Sequence, residues 1–263
     1  MNKEIEIAGK KITYRLYGNG KPVLFVHGFG ETGDVWKNQV AFLKDSFQLI
    51  VPDLPGSGQS KMIDDMSMEG MAEVIKLILD KEAINQLAMI GHSMGGYITL
   101  AFAKKYSNYL TAFGLFHSSA YADSDEKKAF RKKSIEFILK NGAFEFLKIA
   151  TPNLFSPSSI DKKPELIDGF IRSLNNFSAP ALVSYYEAMM KRPDNATLLK
   201  TTTLPVLFVL GEHDNAIPLQ DGLTLSHLPE KSYIHILHQS GHMGMLEEEN
   251  KSNTILNKFL SET

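Results

Sequence analysis

The sequence Gly91-His92-Ser93-Met94-Gly95-Gly96 directly follows the apolar stretch Leu87-Ala88-Met89-Ile90. This order constrains the fold more than any other feature. It reads as a buried strand, a sharp turn presenting a serine, and then a helix, the G-x-S-x-G nucleophile elbow. Gly91 and Gly95 lie two residues to either side of Ser93. Lacking Cβ atoms, they let neighbouring backbone approach closely enough for the serine to hold a strained φ/ψ. The following segment, Tyr97-Ile98-Thr99-Leu100-Ala101-Phe102-Ala103, is apolar nearly all round and predicts a buried helix. Its N-terminus would face the serine and favour negative charge there.

The rest of the chain fits an α/β protein. Its 263 residues suffice for one large domain, or for a core with an insertion. Hydrophobic residues make up 43%, which argues against disorder. A net charge of −2 leaves no electrostatic footprint for nucleic acid. No apolar run reaches transmembrane length, so no membrane span is expected. Met1 to Ile7 alternates like a strand and lacks a signal peptide's apolar core. There is no cysteine, which excludes disulfides, thiolate catalysis and thiolate-bound metal and fits a reducing cytoplasm.

Apolar runs at Val23–Val26, Phe47–Val51, Leu87–Ile90, Ala112–Phe116, Pro205–Leu210 and Ile234–Leu237 predict strands, and residues 5–8 and 11–17 a hairpin turning at Gly9-Lys10. Met68, Met71, Ala72, Ile75, Ile78 and Leu79 recur with helical period, with Ser67 as N-cap. The alternation predicts βαβ units and a mostly parallel, doubly wound sheet. Residues 119–199 break the rhythm. They contain no apolar strand run, only helical patches at 125–140, 143–150, 164–174 and 180–191. The expected division is a core of residues 1–118 and 200–263 with a helical cap at 119–199, over the carboxyl ends of the strands. The basic run Lys127-Lys128 and Arg131-Lys132-Lys133 reads as a solvated helix face rather than an anion site. Most cap aromatics, among them Phe130, Phe137, Phe144, Phe146, Phe155, Phe170, Phe177, Tyr185 and Tyr186, are expected to hold the cap on the core. A minority should face Ser93.

A serine hydroxyl needs a base, and the base needs an orienting carboxylate. Asp214, in Gly211-Glu212-His213-Asp214, follows a buried strand, and His242, in Ser240-Gly241-His242-Met243, follows the last one. The order Ser93, Asp214, His242 suits an elbow on a parallel sheet. Asp123 and Asp125 compete for the acid's role. His27, His92, His117, His213, His227, His235 and His238 compete for the base's, with His92 and His213 expected to point away. The backbone N–H groups of Phe29, in His27-Gly28-Phe29-Gly30, and of Met94 are the candidate oxyanion donors. No H-E-x-x-H or similar cluster is present, so neither metal nor organic cofactor is expected.

Together, His27–Gly30, Asp53-Leu54-Pro55-Gly56-Ser57-Gly58-Gln59-Ser60, Gly91–Gly96, Gly211–Asp214 and Gly241-His242 resemble the motifs of the α/β-hydrolase superfamily, in order, along essentially the whole chain. Met190-Lys191-Arg192-Pro193-Asp194 is similar to a stretch in small carboxylesterases and enol-lactonases with a helical cap. The resemblance implies a cofactor-free serine hydrolase of small-molecule esters or lactones, with residues 53–60 a structural turn. Dehalogenases and epoxide hydrolases carry Asp where this chain has Ser93. C–C bond hydrolases, thioesterases and ligand receptors share the triad, so a C–C hydrolase or a binding protein is the alternative.

Overall fold

The computed structural model describes all 263 residues. Eight strands form one sheet: β1 (Asn2–Ile7), β2 (Lys10–Tyr17), β3 (Lys21–Val26), β4 (Phe47–Pro52), β5 (Leu87–His92), β6 (Leu110–Phe116), β7 (Val206–Gly211) and β8 (Ser232–Leu237). Their spatial order is β1-β2-β4-β3-β5-β6-β7-β8. β1 pairs antiparallel with β2, and β2 with β4. Every pair from β4 to β8 is parallel. The hairpin turns one residue earlier than expected, at Ala8 and Gly9, both with positive φ (48° and 75°). Two successive positive φ values match the twist of a tight hairpin, and β2 therefore begins at Lys10.

The strand runs are apolar because both faces of the sheet are covered. In β3, Val23 and Phe25 join a cluster with Trp36 and Phe259 on one face. Leu24 and Val26 join Ile98 and Met71 on the other. β5 and β7 are buried along their whole length, and the edge strand β8 is not. The early helices are α1 (Lys37–Leu43), α2 (Met68–Lys81) and α3 (Met94–Tyr106). The expected periodic helix is α2, and the Ser67 side chain accepts from the Gly70 N–H at its start. Met94 to Ala103 of α3 are all buried, as its composition predicts.

Between β6 and β7 there are six α-helices and no strand: α4 (Asp125–Asn141), α5 (Ala143–Ala150), α6 (Pro157–Lys162), α7 (Pro164–Ser173), α8 (Ala179–Lys191) and α9 (Ala196–Thr201). α10 (Leu219–Ser226), α11 (Gly244–Glu247) and α12 (Glu249–Glu262) complete the chain. The Tyr185 hydroxyl on α8 donates to the Pro55 carbonyl (2.6 Å), tying the helical segment to the 53–60 turn. Asp53 holds that turn in place. Its carboxylate accepts from the Gly33 N–H (2.9 Å) and pairs with Arg15.

Candidate active site

Ser93 sits between β5 and α3 with φ 51° and ψ −117°, a conformation costing about 1–3 kcal/mol. Its surroundings enforce that conformation. A Cβ on Gly91 would lie 2.3 Å from the Gly95 carbonyl oxygen, and one on Gly95 would lie 2.4 Å from that of Val26. The Ser93 N–H donates to the Phe116 carbonyl (3.0 Å), and the Ser118 hydroxyl donates to the Ser93 carbonyl (2.7 Å). The elbow is thus clamped from β6 while its side chain reaches the surface of a cavity.

Asp214 and His242 meet in the structure. His242 Nδ1 lies 2.8 Å from Asp214 Oδ2 and 3.0 Å from Oδ1. A carboxylate only accepts, so Nδ1 carries the proton and Nε2 keeps a free lone pair. Asp214 Oδ1 also accepts from the Ala216 and Ile217 N–H groups (2.8 and 2.9 Å). Burial would raise the Asp214 carboxyl, but the charge of His242 and the hydrogen bonds from His117 and His242 hold it far below its ordinary value. Burial opposes charge on His242, yet Asp214 overrides this and raises its pKa above the ordinary 6.5.

Four polar residues that sequence reasoning did not place complete the site. His117 Nδ1 lies 3.2 Å from Asp214 Oδ2, and its Nε2 accepts from the Gly244 N–H (3.2 Å). That acceptance puts the proton on Nδ1, so His117 is a second donor to Asp214 and not a base. Burial holds it below its ordinary pKa. Side-chain atoms of His117, Asp214 and His242 lie within 4.8 Å of one another, close enough to bind a metal. The hydrogen bonds account for that closeness, and ligation would require both Nδ1 protons to leave.

His92 was expected to point away from the site and does not. Its Nε2 donates to the His242 carbonyl (2.9 Å), and its Nδ1 lies 3.0 Å from Glu31 Oε2. Glu31 Oε2 also accepts from the Gly28 N–H (2.7 Å). The buried Glu31–His92 contact ties the 27–31 loop to the His242 loop. Burial would raise the Glu31 carboxyl, but His92 and the Gly28 N–H keep it below its ordinary value. Buried Glu247 grips the other side of that loop. Its Oε1 accepts from Gly241 N–H (2.8 Å) and Met243 N–H (3.2 Å), and its Oε2 from Ser156 N–H (2.7 Å).

The rivals lie elsewhere. Asp123 is buried but pairs with Arg131 and Arg192. Asp125 is an exposed residue in the first turn of α4. His27 Nε2 accepts from the Leu54 N–H (2.9 Å). His213, His227 and His238 are exposed, and His235 lies half-buried on β8. The basic run is not uniformly a solvated face. Lys132 and Lys133 are exposed, but Arg131 turns inward to Asp123 because that buried carboxylate lies along the inner edge of α4.

Ser93, His242, Glu31 and Phe29 line a cavity of about 540 Å³, most of whose wall is apolar. Phe130, Phe137, Phe146, Tyr186 and Met189 from α4, α5 and α8 form much of that wall. The Phe29 ring stacks on Tyr186 (4.2 Å between centroids), which fixes the loop carrying its N–H. That N–H donates to no protein acceptor. The Met94 N–H opens the first turn of α3.

Residues 21–118 match the family described as alpha/beta hydrolase fold. A 2-hydroxy-6-oxononadienedioate/2-hydroxy-6-oxononatrienedioate hydrolase of Pseudomonas sp. is 27% identical, covering 93% of this chain and 89% of its own length. A thermophilic esterase from Thermogutta terrifontis superimposes with TM-score 0.93 at 27% identity, over 100% of this chain and 98% of that one. The enol-lactonase from Burkholderia xenovorans LB400 gives TM-score 0.90 at 20% identity, covering 98% and 100%. The chain has the α/β-hydrolase fold, and the resemblance carried by its motifs holds.

Proposed function

We propose that the protein is a serine hydrolase of carboxylic esters or lactones of small molecules. Ser93 Oγ attacks the carbonyl carbon while His242 Nε2 takes its proton. Asp214 holds the ring in the required tautomer and stabilises the imidazolium. The Phe29 and Met94 N–H groups hold the tetrahedral oxyanion, each worth about 3–4 kcal/mol in the transition state. His242 then protonates the departing alkoxide, leaving an acyl-serine that water hydrolyses by the reverse relay. One observation carries this reading. The bonded His242–Asp214 pair opens onto the same cavity as a serine held at φ 51°. The direct test is release of p-nitrophenol from short-chain esters. No turnover of any ester would refute the reading and favour a binding protein.

A second reading is C–C bond hydrolysis, favoured by the similarity to the Pseudomonas hydrolase. Faster turnover of a vinylogous 1,5-diketone than of any ester would establish it.

The raised pKa of His242 sets the pH dependence. Its neutral form is the base, so kcat/KM is present above that pKa and lost as pH falls through it. The midpoint is expected above 6.5, the ordinary value. A profile flat down to pH 5 would exclude His242 as the base.

We assign residues 119–199 the role of a cap that selects the acyl group. Phe137 is 36% exposed yet lines the cavity, so Phe137→Ala should barely change stability. Losing its apolar contact at about 25 cal/mol per Å² should lower kcat/KM for an octanoyl ester relative to an acetyl ester by roughly 5-fold. An unchanged ratio would place acyl selection outside this wall.

A further inference from the structure

The cavity wall carries an uncompensated positive charge. Asp123 is the only carboxylate paired with Arg131 and also the only one paired with Arg192, so the three side chains sum to +1. Arg192 makes three of its five possible donations to protein acceptors. Its Nη1 donates to Asp123 (2.9 Å) and the Met189 carbonyl (2.7 Å), and its Nη2 to the Tyr121 carbonyl (2.9 Å). Its guanidinium lies 3.8 Å over the Tyr97 ring. Arg131 makes two, and one whole arm of its fork is unused. Nε and Nη2 reach Asp123 (2.6 and 3.2 Å), and Nη1 donates to no protein acceptor. Arg131 lines the same cavity as Ser93, with its guanidinium 5.2 Å from the Tyr186 ring centre.

A free guanidinium arm on an apolar cavity calls for an anion, which would meet it with a charge-assisted hydrogen bond. The other charges along this wall do not meet the need. Glu31 is held by His92 and the Gly28 N–H, and Lys133 is itself a cation at the exposed rim. We propose that Arg131 is an anion-binding group of the cavity, and that the substrate is an ester or lactone that also bears a carboxylate. This rests on the ester-hydrolase reading and narrows it. A monoanion fits best, because the cluster carries one surplus charge and one free arm of the guanidinium fork. Asp123 and Arg192 then act as positioning residues. They hold the plane of Arg131 while the apolar wall accepts the chain between the carboxylate and the reacting carbonyl.

The test compares mono-p-nitrophenyl adipate with p-nitrophenyl hexanoate, which have acyl chains of equal length. In Arg131→Gln the Asp123–Arg192 pair remains and is charge-balanced, so the variant should fold, as thermal denaturation will show. Loss of one charge-assisted hydrogen bond should cut kcat/KM for the adipate ester by about 10- to 100-fold, mainly through KM. The hexanoate ester should change less than about 3-fold. Arg131→Lys, which keeps the charge and loses the fork, should fall between. Equal losses on both esters, or no loss on either, would overturn the proposal. Calorimetric binding of hexanoate anion to Ser93→Ala, with and without Arg131→Gln, reads the same site without turnover. If wild type cleaves neither these nor the short-chain esters, the hydrolase reading fails, and the anion site stands or falls on whether Arg131→Gln abolishes that binding.

Discussion

Replacing Ser93 by alanine should leave the fold intact and lower ester turnover by about 10⁴- to 10⁶-fold, because nucleophile and base act as a unit. The fold should survive for a structural reason. The elbow is held by backbone bonds, Ser93 N–H to Phe116 and the Ser118 hydroxyl to the Ser93 carbonyl, and alanine keeps both. Alanine also keeps the Cβ that already tolerates φ 51°. Circular dichroism and melting temperature should therefore match wild type. A fluorophosphonate probe should label wild type once, on the peptide containing Ser93, and should not label the variant. Turnover within ten-fold of wild type, or labelling of another serine, would remove Ser93 from the chemistry.

The sheet was legible because its inner strands are buried on both faces. Val23–Val26 and Val206–Leu210 must then be apolar at every position, and their shortness and β-branched content separate them from the buried helix at Tyr97–Ala103. The contact between Asp214 and His242 was legible for a related reason. Each follows a strand of one parallel sheet, so the topology brings their loops to the same edge. Helices such as α6 and α9 were not legible. Each has six residues and too few turns to show a period.

The polar network around His242 was hidden because its members are far apart in sequence. Glu31 and His92 are 61 residues apart, His92 and His242 are 150 apart, and His117 and Asp214 are 97 apart. A glutamate destined for burial looks like any surface glutamate until its partner is known. Arg131 misled for the same reason. In a helix whose neighbours are Lys132 and Lys133, only the position of buried Asp123 reveals that one cation turns inward.

Asp214→Asn should be nearly as damaging to turnover as loss of the serine, and should also cost stability. Asp214 receives donors on both oxygens: the Ala216 and Ile217 N–H groups on Oδ1, His117 on Oδ2 and His242 across both. Asparagine must replace one oxygen with an NH₂ group. Placed at Oδ1, it meets two backbone donors and orphans them. Placed at Oδ2, it faces the two ring N–H groups. His242 could then move its proton to Nε2, but that removes the lone pair Ser93 needs. His117 cannot follow, because the Gly244 N–H occupies its Nε2 and keeps the proton on Nδ1. Either orientation leaves at least one buried donor unmatched, a penalty of about 1–3 kcal/mol. The wrong tautomer at the base should lower kcat by about 10⁴-fold, as in the serine-protease example of the same substitution. The checks are kcat on a short-chain ester, the melting temperature, and the rate of fluorophosphonate labelling, which should fall with kcat because Ser93 has lost its base. A variant retaining a tenth of wild-type kcat would mean that another carboxylate orients His242. The structure has none in contact with that ring, so such a result would require the site to rearrange in solution.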